Sequence, residues 1–127
     1  MKAIELETRL IEFACRVIDM SEKMPKTFAA KHIGSQIIRS ATSPALNYGE
    51  AQGAESKDDF IHKMKICLKE HRETLICLKF IERRGWFEQG KLSGLIRENN
   101  ELVSIFVVSA KTATSNPVIS SKSHQKS

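Results

Sequence analysis

Five cations on one segment have the spacing of a ridge. Lys65, Lys69, Arg72, Lys79 and Arg83 follow one another at steps of four, three, seven and four residues. At about 100° per residue they fall within an arc of roughly 80° on an α-helix. Ile76 is the one apolar member of that arc, and Arg84 and Lys91 extend the positive region beyond it. Like charges in a row repel one another unless an anion neutralises them. Their spacing of about 5–6 Å along the ridge is comparable to the phosphate repeat of a nucleic-acid strand. The chemistry this row suits is phosphate binding, with Lys65, Lys69, Arg72, Lys79, Arg83 and Arg84 as the contacts. A solvated face is the competing reading, in which Glu70 and Glu73 pair along the helix with Lys69 or Arg72. No aromatic residue interleaves with these cations, so base stacking is expected to contribute little. RNP, helix-turn-helix and zinc-finger patterns are missing, so binding would follow shape and charge with little sequence readout.

Catalytic chemistry finds no comparable grouping. Asp58 and Asp59 are adjacent, diverge by about 100° on a helix and read as capping residues. His71 projects to an apolar side and reads as a hydrogen-bonded core histidine rather than a ligand. His62 and His71 lack a partner four residues on, so the two-histidine metal ladder is absent, and His124 falls in the tail. Cys67 and Cys77 point to different faces and read as packing residues. Nucleophile elbows and phosphate-cradling glycine loops are missing. The expectation is a protein with no enzyme activity, no metal and no cofactor. A small helical ribonuclease is a weaker option, since it would need paired His and Arg.

Such a ridge needs a frame to hold it. With 127 residues the chain fits one domain with a single core. The apolar positions Leu6, Leu10, Phe13, Val17, Met20 and Met24 alternate steps of four and three, one stripe of a helix that Pro25 ends. A second helix begins near Thr27, with Ala30, Ile33, Ile37, Ala41, Pro44, Tyr48 and Ala51 on one side. His32, Arg39, Ser43 and Glu50 lie on the other. Ser56 reads as an N-cap with Asp59 behind it, starting a third helix that runs to about Arg83. Phe60, Met64, Leu68, His71, Leu75 and Leu78 face inward on it, and Gly85 stops it. A fourth runs from about Gly90 to Thr114, with Leu92, Ile96, Asn99, Val103, Phe106 and Ala110 on one face. These elements predict an all-α, up-down four-helix bundle over 1–114 and a disordered polar tail over 115–127.

Composition sets further bounds. The formal net charge of +5 suits an anionic partner. Three cysteines, Cys15, Cys67 and Cys77, without CxxC spacing read as free thiols of a reducing cytoplasm. No apolar run approaches the ~20 residues of a membrane helix, and the N-terminus is charged too early for a signal peptide.

The second helix carries an unusual run, "RSATSPALNYGEAQGA", rich in small residues and containing a proline. Small side chains let helices approach closely, so this run reads as a close-packed ridge, and close packing also accounts for Gly34, Gly49 and Gly53 of the same helix. Pro44 removes a backbone donor and is expected to kink the helix, with a restart at Pro44 as the alternative. The stretch continuing through "ESKDDFIHKMKICLKEHRET" resembles a small bacterial four-helix-bundle family encoded in intervening sequences of 23S ribosomal RNA genes. The matching features are Arg39-Ser40, Ser43, Asn47-Tyr48, Glu50-Ala51, Ser56, Asp59-Phe60 and the basic "KICLKEHRET", with "FACRVIDMSEKMP" upstream. The resemblance covers Leu6 to Ile81, and the fourth helix matches in pattern only; Pro44 departs from the helix-friendly residue the family pattern has there. It implies a bundle that assembles as a ring of five subunits and has no enzyme activity. Relatives in fold include the accessory protein of diversity-generating retroelements, a basic pentamer that works with a reverse transcriptase and RNA.

Two groups read as the contact between copies. Arg39 and Glu50 lie eleven residues apart on one face and would form a polar network with Ser43 and Asn47 across a subunit boundary. Exposed side chains on a wet face are the alternative. Ile105 and Val108 fall outside the main stripe of the fourth helix, where an oligomer would bury them. Two functions follow: an oligomeric bundle that binds structured RNA or a ribonucleoprotein, and a protein-interaction scaffold whose charge serves solubility.

Overall fold

The computed structural model describes residues 1–115 as four α-helices. They are α1 (Ala3–Glu22), α2 (Phe28–Gln52), α3 (Lys57–Arg84) and α4 (Ser93–Ser115). Each boundary has a local cause. The Ala30 N–H donates to Thr27 Oγ1 at 3.2 Å, which caps α2. The Asp59 N–H donates to Ser56 Oγ at 3.0 Å, and Asp58 and Asp59 occupy the positive first turn of α3. Gly85 ends α3 at φ 68°, a left-handed conformation that a side chain would strain. Helix α4 starts at Ser93, later than the sequence predicts, because Gly90 has φ 86° and cannot belong to a helix. The tail expected over 115–127 lies, from residue 116 on, outside the described residues.

Helix α2 runs unbroken through Pro44, so it does not restart there. Pro44 is buried, and its carbonyl accepts from Cys67 Sγ at 3.5 Å. Burial inside the α2–α3 contact makes a missing donor tolerable, because packing rather than one backbone bond holds this turn. The glycines behave differently from expectation. A Cβ on Gly34 or Gly49 would meet no heavy atom within 4 Å, and Gly53 is the C-cap. Close approach instead uses Ala30, Ser40, Ala41 and Ala51, all buried.

Helix α3 packs on both α2 and α4, and α1 packs on the same two, so α1 and α3 are diagonal. Serving two neighbours turns α3 away from a single stripe. Cys67, Glu70 and Thr74 are buried on it, while Leu68 and Leu75 are only half-buried. Likewise α4 buries Leu95 and Leu102, leaving Ile96 and Val103 half-buried.

A polar pair sits at the centre of the core. His71, fully buried, lies between the rings of Phe13 (5.7 Å) and Phe106 (5.5 Å). Its Nδ1 is 2.8 Å from Asn99 Oδ1, and Asn99 Nδ2 donates to the His71 carbonyl at 2.9 Å. The amide orientation makes Oδ1 an acceptor, so Nδ1 carries the proton. Nε2 is then an unprotonated, buried nitrogen with no partner among the described residues. Burial, partly offset by the Asn99 bond, pulls the imidazole down to about 4.

The unfolded chain takes up this proton near the ordinary histidine value of about 6.5, and the native chain does not until about pH 4. The stability due to neutral His71 is therefore fully present above about pH 6.5 and is lost as pH falls toward 4, on the order of 3 kcal/mol in all. The urea midpoint should fall between about pH 6.5 and 5 in the parent and stay nearly level in His71→Leu with Asn99→Leu.

Candidate nucleic-acid interface

Helix α3 presents the ridge. Lys65, Lys69, Arg72, Lys79, Arg83 and Arg84 are all exposed. Among the described residues none of the six makes an ion pair; the cations that do are Arg9, Arg39 and Lys63. The two carboxylates expected to neutralise the row are engaged elsewhere. Arg39 Nη1 donates to Glu70 Oε2 at 2.7 Å, and Arg39 Nη2 bonds Glu73. The reason is angular: Glu70 sits about 140° around the helix from Lys65, on the side that meets α2. Its side chain is only 6% exposed. The Glu73 bond and the charge of Glu70 together raise the Arg39 pKa, so the guanidinium stays charged.

The row is not free of aromatics. Phe80 is 54% exposed and Ile76 52%, and the two share a shallow groove with Lys79 and Arg83. Arg84 adds a cation–π contact, its guanidinium carbon 5.9 Å from the centre of the Trp86 ring. Sequence reasoning missed Phe80 because the arc was drawn through the cations alone. One turn beyond Ile76 lies position 80, only about 20° outside that arc. Across the bundle, α1 exposes Glu5, Glu7, Glu12, Asp19 and Glu22. Helix α1 also exposes Arg16, and α3 also exposes Asp58, Asp59 and Glu82, so the diagonal helices differ in the balance of charge, acidic on α1 and basic on α3.

The residues expected at a subunit boundary separate into distinct contacts within the chain. Asn47 Nδ2 donates to Ser43 Oγ at 2.9 Å and to the Ser43 carbonyl at 3.1 Å. Glu50 pairs with Lys63 at 2.7 Å, in the second turn of α3. Arg39 belongs to the Glu70 and Glu73 clamp and touches neither. The single network of Arg39, Ser43, Asn47 and Glu50 is therefore not formed inside one subunit, because α3 supplies the partners for both charged ends. Ile105 is half-buried and Val108 is 62% exposed. With Leu6, Tyr48, Phe60 and Met64 they line an open apolar hollow of about 450 Å³.

Two other reactive groups are withdrawn, while the Cys15 thiol is exposed. Burial pushes the Cys67 thiol up to about 12, and His71 is enclosed. Among the described residues no three His, Cys, Asp or Glu side chains gather as a metal site. No described helix is long and apolar enough to cross a membrane.

The fold and this surface define a class: a small, all-α, four-helix protein with one cationic helix face. Residues 2–107 match the family described as 23S rRNA-intervening sequence protein, and the chain belongs to that family. It is similar to a crystal structure of a protein of unknown function from the S23 ribosomal protein family of Bacteroides thetaiotaomicron. That likeness has 28% identity and a TM-score of 0.77, over 88% of this chain and 100% of the other. No curated protein matches the chain.

The clamp and the Lys63–Glu50 pair differ in burial, and so should their variants. Arg39→Met leaves the Glu70 carboxylate buried without its cation and should cost about 1–3 kcal/mol in urea unfolding at pH 7. Glu50→Gln, at an exposed pair, should leave the same midpoint unmoved within error.

Proposed function

We propose that the protein is a non-catalytic, oligomeric helical bundle that binds structured RNA, alone or within a ribonucleoprotein, through the outer face of α3. The observation that carries this reading is the row of six exposed cations without carboxylate partners among the described residues, beside two carboxylates held by Arg39. The same sorting leaves the row without the intrahelical carboxylate partners that would neutralise it, so an anion would relieve the repulsion among its cations. Membership of a family described by a ribosomal RNA intervening sequence is compatible with an RNA partner.

Assembly is part of the proposal. The helices run up and down, α2 bends at Pro44, and the subunits close into a ring, with five copies as the family resemblance implies. Support for alternating direction comes from the apolar hollow, which gathers the start of α1 and α3 (Leu6, Phe60, Met64) and the end of α2 and α4 (Tyr48, Val108). Support for a contact between copies comes from Val108 and Ile105 on its rim. Copies related by rotation would repeat the α3 row around the ring, and the potential felt by a polyanion would grow with each copy. The same hollow also favours a second reading, a scaffold that holds a partner protein there and leaves the charge to solubility.

Retention of RNA separates the two. Lys65→Glu with Lys69→Glu should abolish salt-sensitive retention on an RNA column without changing solution mass. Equal retention by the double variant would remove α3 as the site. Independently, Val108→Arg should reduce the light-scattering mass toward that of one subunit while helical content by circular dichroism is kept. A parent protein that is a single subunit at every dilution would end the ring proposal.

A further inference from the structure

The reading of α3 as a phosphate-binding face leaves Ile76 and Phe80 unexplained. Each exposes about half of its surface in the middle of the charged row. They are one turn apart, so their side chains adjoin. Arg72 stands one turn before Ile76, Lys79 lies next to Phe80, and Arg83 and Arg84 follow within a turn. The carboxylate on the same edge, Glu73, two turns before Phe80, is held by Arg39. An apolar island in such a setting suits few occupants. An aliphatic partner surface would bury Ile76 and Phe80 but strip water from four cations without supplying charge. A nucleic-acid strand supplies both needs, a flat π-face for the ring and phosphates for its neighbours. Duplex RNA does not, because its bases are stacked inside the helix and its grooves present sugar, phosphate and base edges but no open base face for the ring.

We propose that Phe80, flanked by Ile76, is a platform on which an unpaired RNA base stacks while Arg72, Lys79 and Arg83 hold the adjoining phosphates. This rests on the α3 reading above and deepens it: the preferred ligand is a single-stranded or looped segment, not a continuous duplex. Phe80 contacts the base, Ile76 fills the space beside the ring, and the cations set the direction of the strand.

The test compares fluorescence anisotropy of a labelled oligouridylate of about ten nucleotides with that of an RNA duplex of equal length. Phe80→Ala should weaken single-strand binding by at least about fivefold and duplex binding by less than about twofold. In a Trp86→Phe background, Phe80→Trp should keep single-strand affinity, and its emission should be quenched on adding the oligouridylate. Equal losses for both RNAs, or none for either, would overturn the platform while leaving charge-driven binding intact. A Phe80→Ala protein of lower solution mass and undiminished RNA affinity would assign the ring to contacts between copies, also overturning it. Failure of the parent protein to bind either RNA would instead remove the α3 reading itself, and the platform with it.

Discussion

One guanidinium decides how charge is distributed on this protein. Helix α3 carries eight Lys and Arg and five Asp and Glu, which on composition alone is a mixed, self-neutralising surface. Arg39 of α2 changes that by taking Glu70 and Glu73 together. The same contact that docks α3 on α2 therefore draws two negative charges away from the outer row. Asp58 and Asp59 are committed to the helix start. Glu82 stays exposed, but the arc from Lys65 to Arg83 is left with cations and no carboxylate, so that part of the surface field is a by-product of how two helices pack. An ion pair is often a weak source of stability. Its stronger effect here is on where the remaining charge stands.

The core follows a related logic. Apolar packing by Leu, Val, Ile and Phe fills most of the space between the helices, but such packing permits many arrangements of similar energy. His71 and Asn99 remove that freedom. Two hydrogen bonds join α3 to α4 at one height, and the imidazole is held between two phenyl rings. Any sliding of α4 along α3 would strand both polar groups in an apolar interior. The cost is a buried Nε2 with no hydrogen-bond partner among the described residues.

Most of the architecture was legible because amphipathic periodicity and caps act locally. Thr27, Ser56 and Gly85 mark ends that depend on a few backbone bonds, and the structure has them where the sequence implies. The phase of α3 and α4 was less legible. A helix with two neighbours buries two stripes, and Glu70 and Thr74 look polar until their partners on α2 are known. Gly34 and Gly49 misled for a complementary reason: a glycine reports that a side chain is missing, not that something occupies its place. The site was half legible. Spacing along one helix finds the cations, but only the tertiary fold says which carboxylates are near them, and Phe80 stays hidden while the search is confined to charge.

The acidic balance of α1 and the basic balance of α3 have a consequence at long range. Two helices on a diagonal, charged oppositely on their outer sides, give the subunit an electric dipole directed across the bundle. Such a body is rotated by an approaching polyanion before it touches it. For the RNA partner proposed above, wrong-face encounters would be repelled early, and productive ones would arrive already aligned. Added electrolyte would blunt this alignment at separations beyond about 10 Å, well before it loosens any contact already made. Selection of the correct face would then begin in solution, several water layers away from the helix that makes the contact.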